Sequence, residues 1–278
     1  MRLSGPNSGS PSNPAEWIAN VKNAGYGGAN LPLNHEVSDA VLATFLEAAK
    51  AADIVVAEVG AWSNPIDADP AKAKAALDKC KTQLAFAERS GARCCVNIVG
   101  SRNPEKWDGP HPENFSDETF EMVVQTTREI IDAVKPKRTF YCLETMPWIF
   151  PSSPDEYLAL IKAVDRPAMG VHLDPVNMIN TPARYYRNGD FIRDCFAKLG
   201  PYIKSCHAKD IILRENLTVH LDECRPGTGF LDFGAYLREL DKLDPDIPLY
   251  MEHLPMEEYP IAADYIRSVA KKNGLRFK

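Results

Sequence analysis

At 278 residues the chain is long enough for one large core and near the usual size of an eightfold α/β barrel, although length alone does not require one. A hydrophobic fraction of 45% with 25% charged residues is ordinary for a soluble globular protein, and no apolar run approaches the roughly 20 residues that span a bilayer. A net charge of −6 argues against a surface built to neutralise a phosphate backbone, so neither nucleic acid nor membrane is expected as a partner.

The opening residues MRLSGPNSGSPSNP lack the basic stretch and apolar segment of a signal peptide. Seven cysteines, at 80, 94, 95, 142, 195, 206 and 224, show no CxxC spacing, and several fall inside apolar runs where free thiols pack as small hydrophobes. The expectation is a reduced, cytoplasmic protein.

Along the chain a unit of about 30 residues recurs, a short apolar run followed by an amphipathic stretch. The strand-like runs are 2–4, 28–33, 54–59, 93–99, 139–144, 169–173, 203–207 and 248–252, the first being the shortest and followed by a Gly/Pro/Ser/Asn loop. Between them lie stretches with apolar residues at three- and four-residue spacing, among them PAEWIANVKNA, SDAVLATFLEAAKAA, KAKAALDKCKTQLAFAERSG, SDETFEMVVQTTREIIDAV, SPDEYLALIKAV, FGAYLRELDKL and AADYIRSVAKKNG. Ser38, Ser116 and Ser153 are suited to accept bonds from first-turn N–H groups, with Glu118 or Thr119 completing a box-like arrangement at Ser116. Gly91 and Gly274 stand where helices should stop. Residues 217–221 read as an extra strand or hairpin after the seventh strand.

Alternating βα units call for parallel strands with helices outside. Eight of them close most naturally into a (β/α)8 TIM barrel, an α/β fold, spanning residues 1–278 as a single domain; an open doubly wound sheet is the competitor.

In such a barrel, functional groups project from the C-terminal ends of the strands. Glu144 in TFYCLETMPW, Asp174 in MGVHLDPVN, His207 in YIKSCHAKD and Glu252 in PLYMEHLP close the fifth to eighth strands. A lone strand-end carboxylate is more often a cap or an ion-pair partner. Three carboxylates and an imidazole around one point are electrostatically costly unless a cation sits among them. An oxygen-rich set with one nitrogen suits Mn2+, Mg2+, Co2+ or Zn2+, and ligand identity alone does not choose among them; Mn2+ is the first expectation.

From Glu144 onward, a strand-end Glu, LDPVN, HAKD, PGTGFLDFGAYL and a second strand-end Glu make the sequence similar to the xylose isomerase-like superfamily, specifically its sugar phosphate isomerase/epimerase branch. The resemblance covers nearly the whole chain. It implies that Glu144, Asp174, His207 and Glu252 bind one divalent metal ion, and that the substrate is a small carbohydrate. The chain also departs from the ketose 3-epimerase pattern: Asn177 replaces a histidine, Phe150 a glutamate, and Leu213, with Arg214 adjacent, an arginine. The HxKD form at 207–210 resembles the dehydratase and other lyase branches equally well.

The chemistry these parts support is proton abstraction next to a carbonyl, with a divalent cation stabilising the enediolate and Glu144 and Glu252 serving as base and acid. Elimination by an inosose dehydratase-like or 3-keto-glycoside-cleaving lyase is the runner-up. Around this centre, Lys209, Arg225, His172, Asn177, Trp148 and Glu58 are the substrate-contacting candidates. Trp62 and Trp107 are possible members of a stacking wall with Trp148, and His35 and His253 are weaker candidates. PGTG lacks the lysine and Ser/Thr of a phosphate loop and reads as a turn, which favours an unphosphorylated substrate. An endonuclease IV type of site needs many histidines, whereas this chain has six in total. A non-catalytic sugar-binding barrel is the remaining alternative, and homo-oligomerisation is left open.

Overall fold

The computed structural model describes residues 1–7 and 9–278; Ser8, in the loop expected after the first strand, lies outside the described residues. In chain order the elements begin β1 (Arg2–Ser4), α1 (Pro14–Asn23), β2 (Gly28–Ala29), α2 (Asp39–Ala51), β3 (Val55–Val56), β4 (Glu58–Gly60), α3 (Pro70–Ser90), β5 (Cys94–Ile98), α4 (Asp117–Val134), β6 (Tyr141–Glu144) and α5 (Pro154–Val164). They continue β7 (Met169–Leu173), α6 (Pro175–Met178), α7 (Pro182–Tyr186), α8 (Asn188–Leu199), β8 (Ile203–Ala208), β9 (Asp210–Arg214), β10 (His220–Cys224), α9 (Phe233–Leu240), β11 (Pro248–Met251) and α10 (Tyr259–Lys272).

The parallel sheet runs β3-β2-β1-β11-β8-β7-β6-β5-β4. Its two ends are consecutive pieces of one extended stretch: Val55 pairs with Gly28 on one side and Glu58 with Cys94 on the other. The expected third strand, 54–59, is therefore divided at Ala57, where pairing switches from one neighbour to the other and the barrel closes. The second strand is shorter than the expected 28–33, with only Gly28 and Ala29 in the ladder. The extra strand or hairpin expected at 217–221 is a hairpin of β9 with β10, but its bounds differ: Arg214 pairs with His220, so 217–219 lie in the connection between the two strands.

The helices begin as their sequences dictate. Ser38, Ser116 and Ser153 accept from Val41, Thr119 and Glu156 N–H, and Gly91 ends α3 at φ 65°, a left-handed conformation that glycine adopts without a Cβ clash. The main apolar core lies between sheet and helices, whereas Cys94, Val96 and Cys142 form a separate small cluster. Buried Glu58 and His172 each bring an atom within 4.8 Å of Cys94 in that cluster. All seven cysteines are free, and six are buried. Among the described residues no helix is long and apolar enough to cross a membrane.

Candidate active site

Strand ends bring the four expected residues together. Glu144 ends β6, Asp174 follows β7, His207 lies in β8 and Glu252 follows β11; one donor atom from each lies within 4.8 Å of all the others. His207 Nδ1 is 2.9 Å from Glu252 Oε1, 3.1 Å from Glu144 Oε1 and 3.7 Å from Asp174 Oδ2. Asp174 divides its oxygens: Oδ1 caps α6 by accepting from Val176 N–H at 3.0 Å, which leaves Oδ2 for the site. Pro175, which has no N–H to satisfy, occupies the first helical position.

Lys209, on the same face as His207 two residues earlier, sends Nζ into the cluster, 2.6 Å from Glu252 Oε1 and 2.9 Å from Asp174 Oδ2. Burial opposes ionisation of Asp174, but Lys209 and His207 outweigh it and hold the carboxyl well below its usual range. Glu252 is held low in the same way, against its burial, by His207 and Lys209. Glu144 goes the other way. Burial pushes it up to about 7, against the pull of His207 and Lys209. His207 is buried, yet Glu252 and Glu144 raise it.

The donor set fits a divalent cation. Asp174 Oδ2 and Glu252 Oε1 are buried without an aligned hydrogen bond, although Lys209 lies close enough to pair its charge with both carboxylates. Three carboxylates and one imidazole converge, the mixture of hard oxygens and one nitrogen that Mg2+, Mn2+ or Zn2+ accepts.

Below this layer, Glu58 Oε2 accepts from Ser205 Oγ at 3.2 Å and lies 3.6 Å from His172 Nδ1, while its Oε1 is 3.8 Å from His207 Nε2. The His172 ring packs edge-on against His207 at 4.0 Å. Burial and then the neighbouring His207 push His172 down to about 3, so it is a neutral ring. It does not face the cavity, unlike Glu58.

The cavity over the cluster has a volume of about 790 Å3. Glu58, Asn177, Trp148 and Lys209 face it, as do Trp62, Trp107 and His253. Asn177 Nδ2 donates to Glu144 Oε1 at 3.0 Å, where the ketose epimerase pattern has a histidine. Phe150 is buried against Phe120 at 5.3 Å, and Arg214 pairs with Asp222 on the hairpin, so the other two epimerase groups have no counterpart at the cavity. Arg225 lies instead in a side recess, 3.4 Å from Glu258, and His35 is exposed away from the cavity.

Several positioning groups escaped the sequence reading. Tyr236 on α9 donates to the carbonyls of His207 at 2.8 Å and Leu173 at 3.3 Å, and Tyr157 on α5 donates to that of Leu143. Both tyrosines thus reach from outer helices to backbone beside the site. Glu223 on β10 faces the cavity, 3.5 Å from Lys209 and 3.2 Å from His253 Nδ1. Apolar periodicity gives such tyrosines no distinguishing signal, and the mis-set hairpin hid Glu223.

A closed parallel barrel whose strand ends carry acids and a histidine around an open cavity defines the class: an α/β barrel with its site at the C-terminal face. The sequence model of the xylose isomerase-like TIM barrel family matches residues 18–269, and the chain belongs to that family. Solved structures share the fold at low identity. A xylose isomerase-like barrel protein from Mycobacterium smegmatis in complex with magnesium is 15% identical, covering 97% of this chain and 95% of its own, with a TM-score of 0.67. A probable 3-DHS dehydratase from Bacillus anthracis is 15% identical over 97% and 99% of the two chains, at 0.70. A 3-keto-D-glucoside 4-epimerase from E. coli is 16% identical over 96% and 99%, at 0.68. Comparison with curated protein sequences gives no match.

Proposed function

We propose that the chain is a divalent-metal-dependent isomerase or epimerase of a sugar or keto-sugar. The observation that carries this reading is the pair Glu144 and Glu252, which approach His207 Nδ1 from different strands at the floor of one cavity. Glu144, Asp174, His207 and Glu252 would hold the ion, Mn2+ first and Mg2+, Co2+ or Zn2+ as alternatives. When bound it supplies a Lewis acid for the carbonyl and adjacent hydroxyl of the substrate.

The chain's own groups handle the proton. Glu144 ends β6 and Glu252 follows β11, so the two carboxylates reach the cavity from different strands, an arrangement suited to taking a proton on one side and returning it on the other. One takes the proton next to the carbonyl and the other returns it. Asn177 fixes the rotation of Glu144 through its 3.0 Å bond. Lys209 steadies the negative charge that develops on substrate oxygen.

Elimination is the second reading. It is favoured by Asn177, Phe150 and Leu213 at the three positions where ketose 3-epimerases carry other groups, and by the dehydratase among the structural neighbours. Product mass separates the two.

The test has two parts. Mass spectrometry of purified protein should give near one divalent ion per chain, with far less in Asp174→Ala and His207→Ala. Incubation with ketoses and 3-keto-sugars in heavy water should then exchange one substrate C–H. A wild type that takes up no metal even when supplemented, or a metal-loaded protein that exchanges no C–H across the panel, would overturn the proposal.

A further inference from the structure

The cavity, at about 790 Å3, lies toward the upper end of the roughly 300–1,000 Å3 usual for small-molecule sites and exceeds what one pyranose ring requires. Its wall is uneven. Strand ends β6, β7, β8 and β11 supply the charged pole. The loops after β4, β5 and β6, one contiguous arc of the rim, supply Trp62, Trp107 and Trp148.

Trp62 and Trp107 remain 36% and 41% exposed. Isolated surface apolar residues need no explanation, but three indoles gathered on one arc of a pocket mark a binding surface. Two of the three are held in place. Trp148 Nε1 donates to the Asp108 carbonyl at 2.6 Å, and Lys106 Nζ lies 5.7 Å from the centre of the same ring. Trp62 folds against Gly60, where a Cβ would come within 2.3 Å of the indole nitrogen, and Lys79 holds the Trp62 carbonyl at 2.9 Å. Rings fixed before a ligand arrives lose little freedom on binding it.

We propose that this arc is a second-ring subsite and that the substrate is a glycoside: its carbonyl-bearing ring meets the carboxylate pole and its other ring stacks on the tryptophan faces. The first half rests on the sugar reading above, whereas the second stands on the tryptophans. A pyranose and an aryl aglycone offer an indole the same flat, weakly polar face, so both are sources of this chemistry.

Calorimetric titration of the metal-supplemented protein with methyl β-D-glucoside, phenyl β-D-glucoside and cellobiose tests it. A stacked second ring should tighten binding about 5- to 10-fold over the methyl glucoside. The double variant Trp62→Leu/Trp107→Leu, altered only at exposed rings, should reduce that preference to about 2-fold or less. Tyr186→Leu, exposed outside the cavity, should retain it. A gain confined to the phenyl ligand assigns an aromatic aglycone, and one confined to cellobiose assigns a sugar; either supports the subsite. No difference among the three ligands, absence of binding included, or a preference that survives the double substitution would overturn it. Ring preference without deuterium exchange counts against the isomerase reading and leaves the subsite standing, whereas exchange without preference does the reverse.

Discussion

Lys209 shows how far single residues can be read. Strand alternation from His207 aims its side chain into the barrel mouth, and the structure puts it there, 3% exposed and within 3.0 Å of two carboxylates. Its depth was not legible, because depth depends on how four strands converge rather than on the parity of one. A buried ammonium among carboxylates is held by mutual charge, and removing one partner of such a group costs about 3–5 kcal/mol. Lys209→Met should therefore lower the Tm of the chelated protein by on the order of 10 °C for a chain of this size. Because the carboxylates are then left with fewer positive partners, added Mn2+ should raise the Tm of the variant more than that of the wild type. Thermal melts with EDTA and with Mn2+ check both, and an equal metal-induced rise in the two proteins would show that Lys209 and the ion do not share these oxygens.

At the scale of elements, the segment after β8 was the hardest to read, and Asp210 explains why. Its carboxylate accepts from four backbone N–H groups, those of Ile211 at 2.8 Å, Gly227 at 2.9 Å, Gly229 at 3.0 Å and Leu231 at 2.9 Å. The PGTG turn was correctly separated from phosphate loops by composition; its N–H groups at 227 and 229 are occupied by a carboxylate of the chain itself. A Cβ on Gly229 would lie 2.4 Å from Asp210 Oδ1, and Gly227 has φ 95°, so both glycines are required by the approach. No periodicity reveals a bond between residues about twenty positions apart. Residues 217–221, expected as an extra strand or hairpin, straddle the connection and the start of β10. Asp210→Ala should release the 225–231 return loop. It should cost about 3 kcal/mol, since bonds to a charged acceptor are each worth about 1.5–3 kcal/mol and do not add fully. Hydrogen exchange across 225–231 should accelerate while β5 and β6 stay protected; unchanged exchange there would mean that the hairpin is held by its own ladder.

For the whole molecule, the rhythm of apolar runs and amphipathic stretches gave alternating βα units and a parallel sheet, because each unit obeys local rules of pattern and capping, and the family resemblance favoured the barrel over an open sheet. Closure was not legible, since it depends on one short stretch, 55–60, pairing with different neighbours on its two sides. The opposite seam is as thin. β1 has only three residues between β2 and β11, and Arg2 reinforces it from the face away from the site. Its guanidinium, from a side chain 4% exposed, bonds Asp246 Oδ1 at 2.9 Å and the Asp53 carbonyl and carboxylate at 2.7 and 2.8 Å, joining the loops that lead into β11 and β3. Burial disfavours the charge, but both carboxylates outweigh it and raise the Arg2 pKa. Arg2→Met keeps much of the stem's packing and loses these charge-assisted bonds, so a cost of about 2 kcal/mol is expected, or roughly 4–8 °C in Tm. Asp53→Asn, at a side chain 78% exposed, should leave the Tm nearly unchanged, because water already screens that partner. In such barrels the face at the strand starts serves stability and the face at the strand ends serves function, so Arg2→Met should retain the metal content of the wild type while it melts earlier. If it melts earlier and also loses the ion, the spacing of Glu144, Asp174, His207 and Glu252 is set by tension around the closed ring rather than by each strand's local contacts.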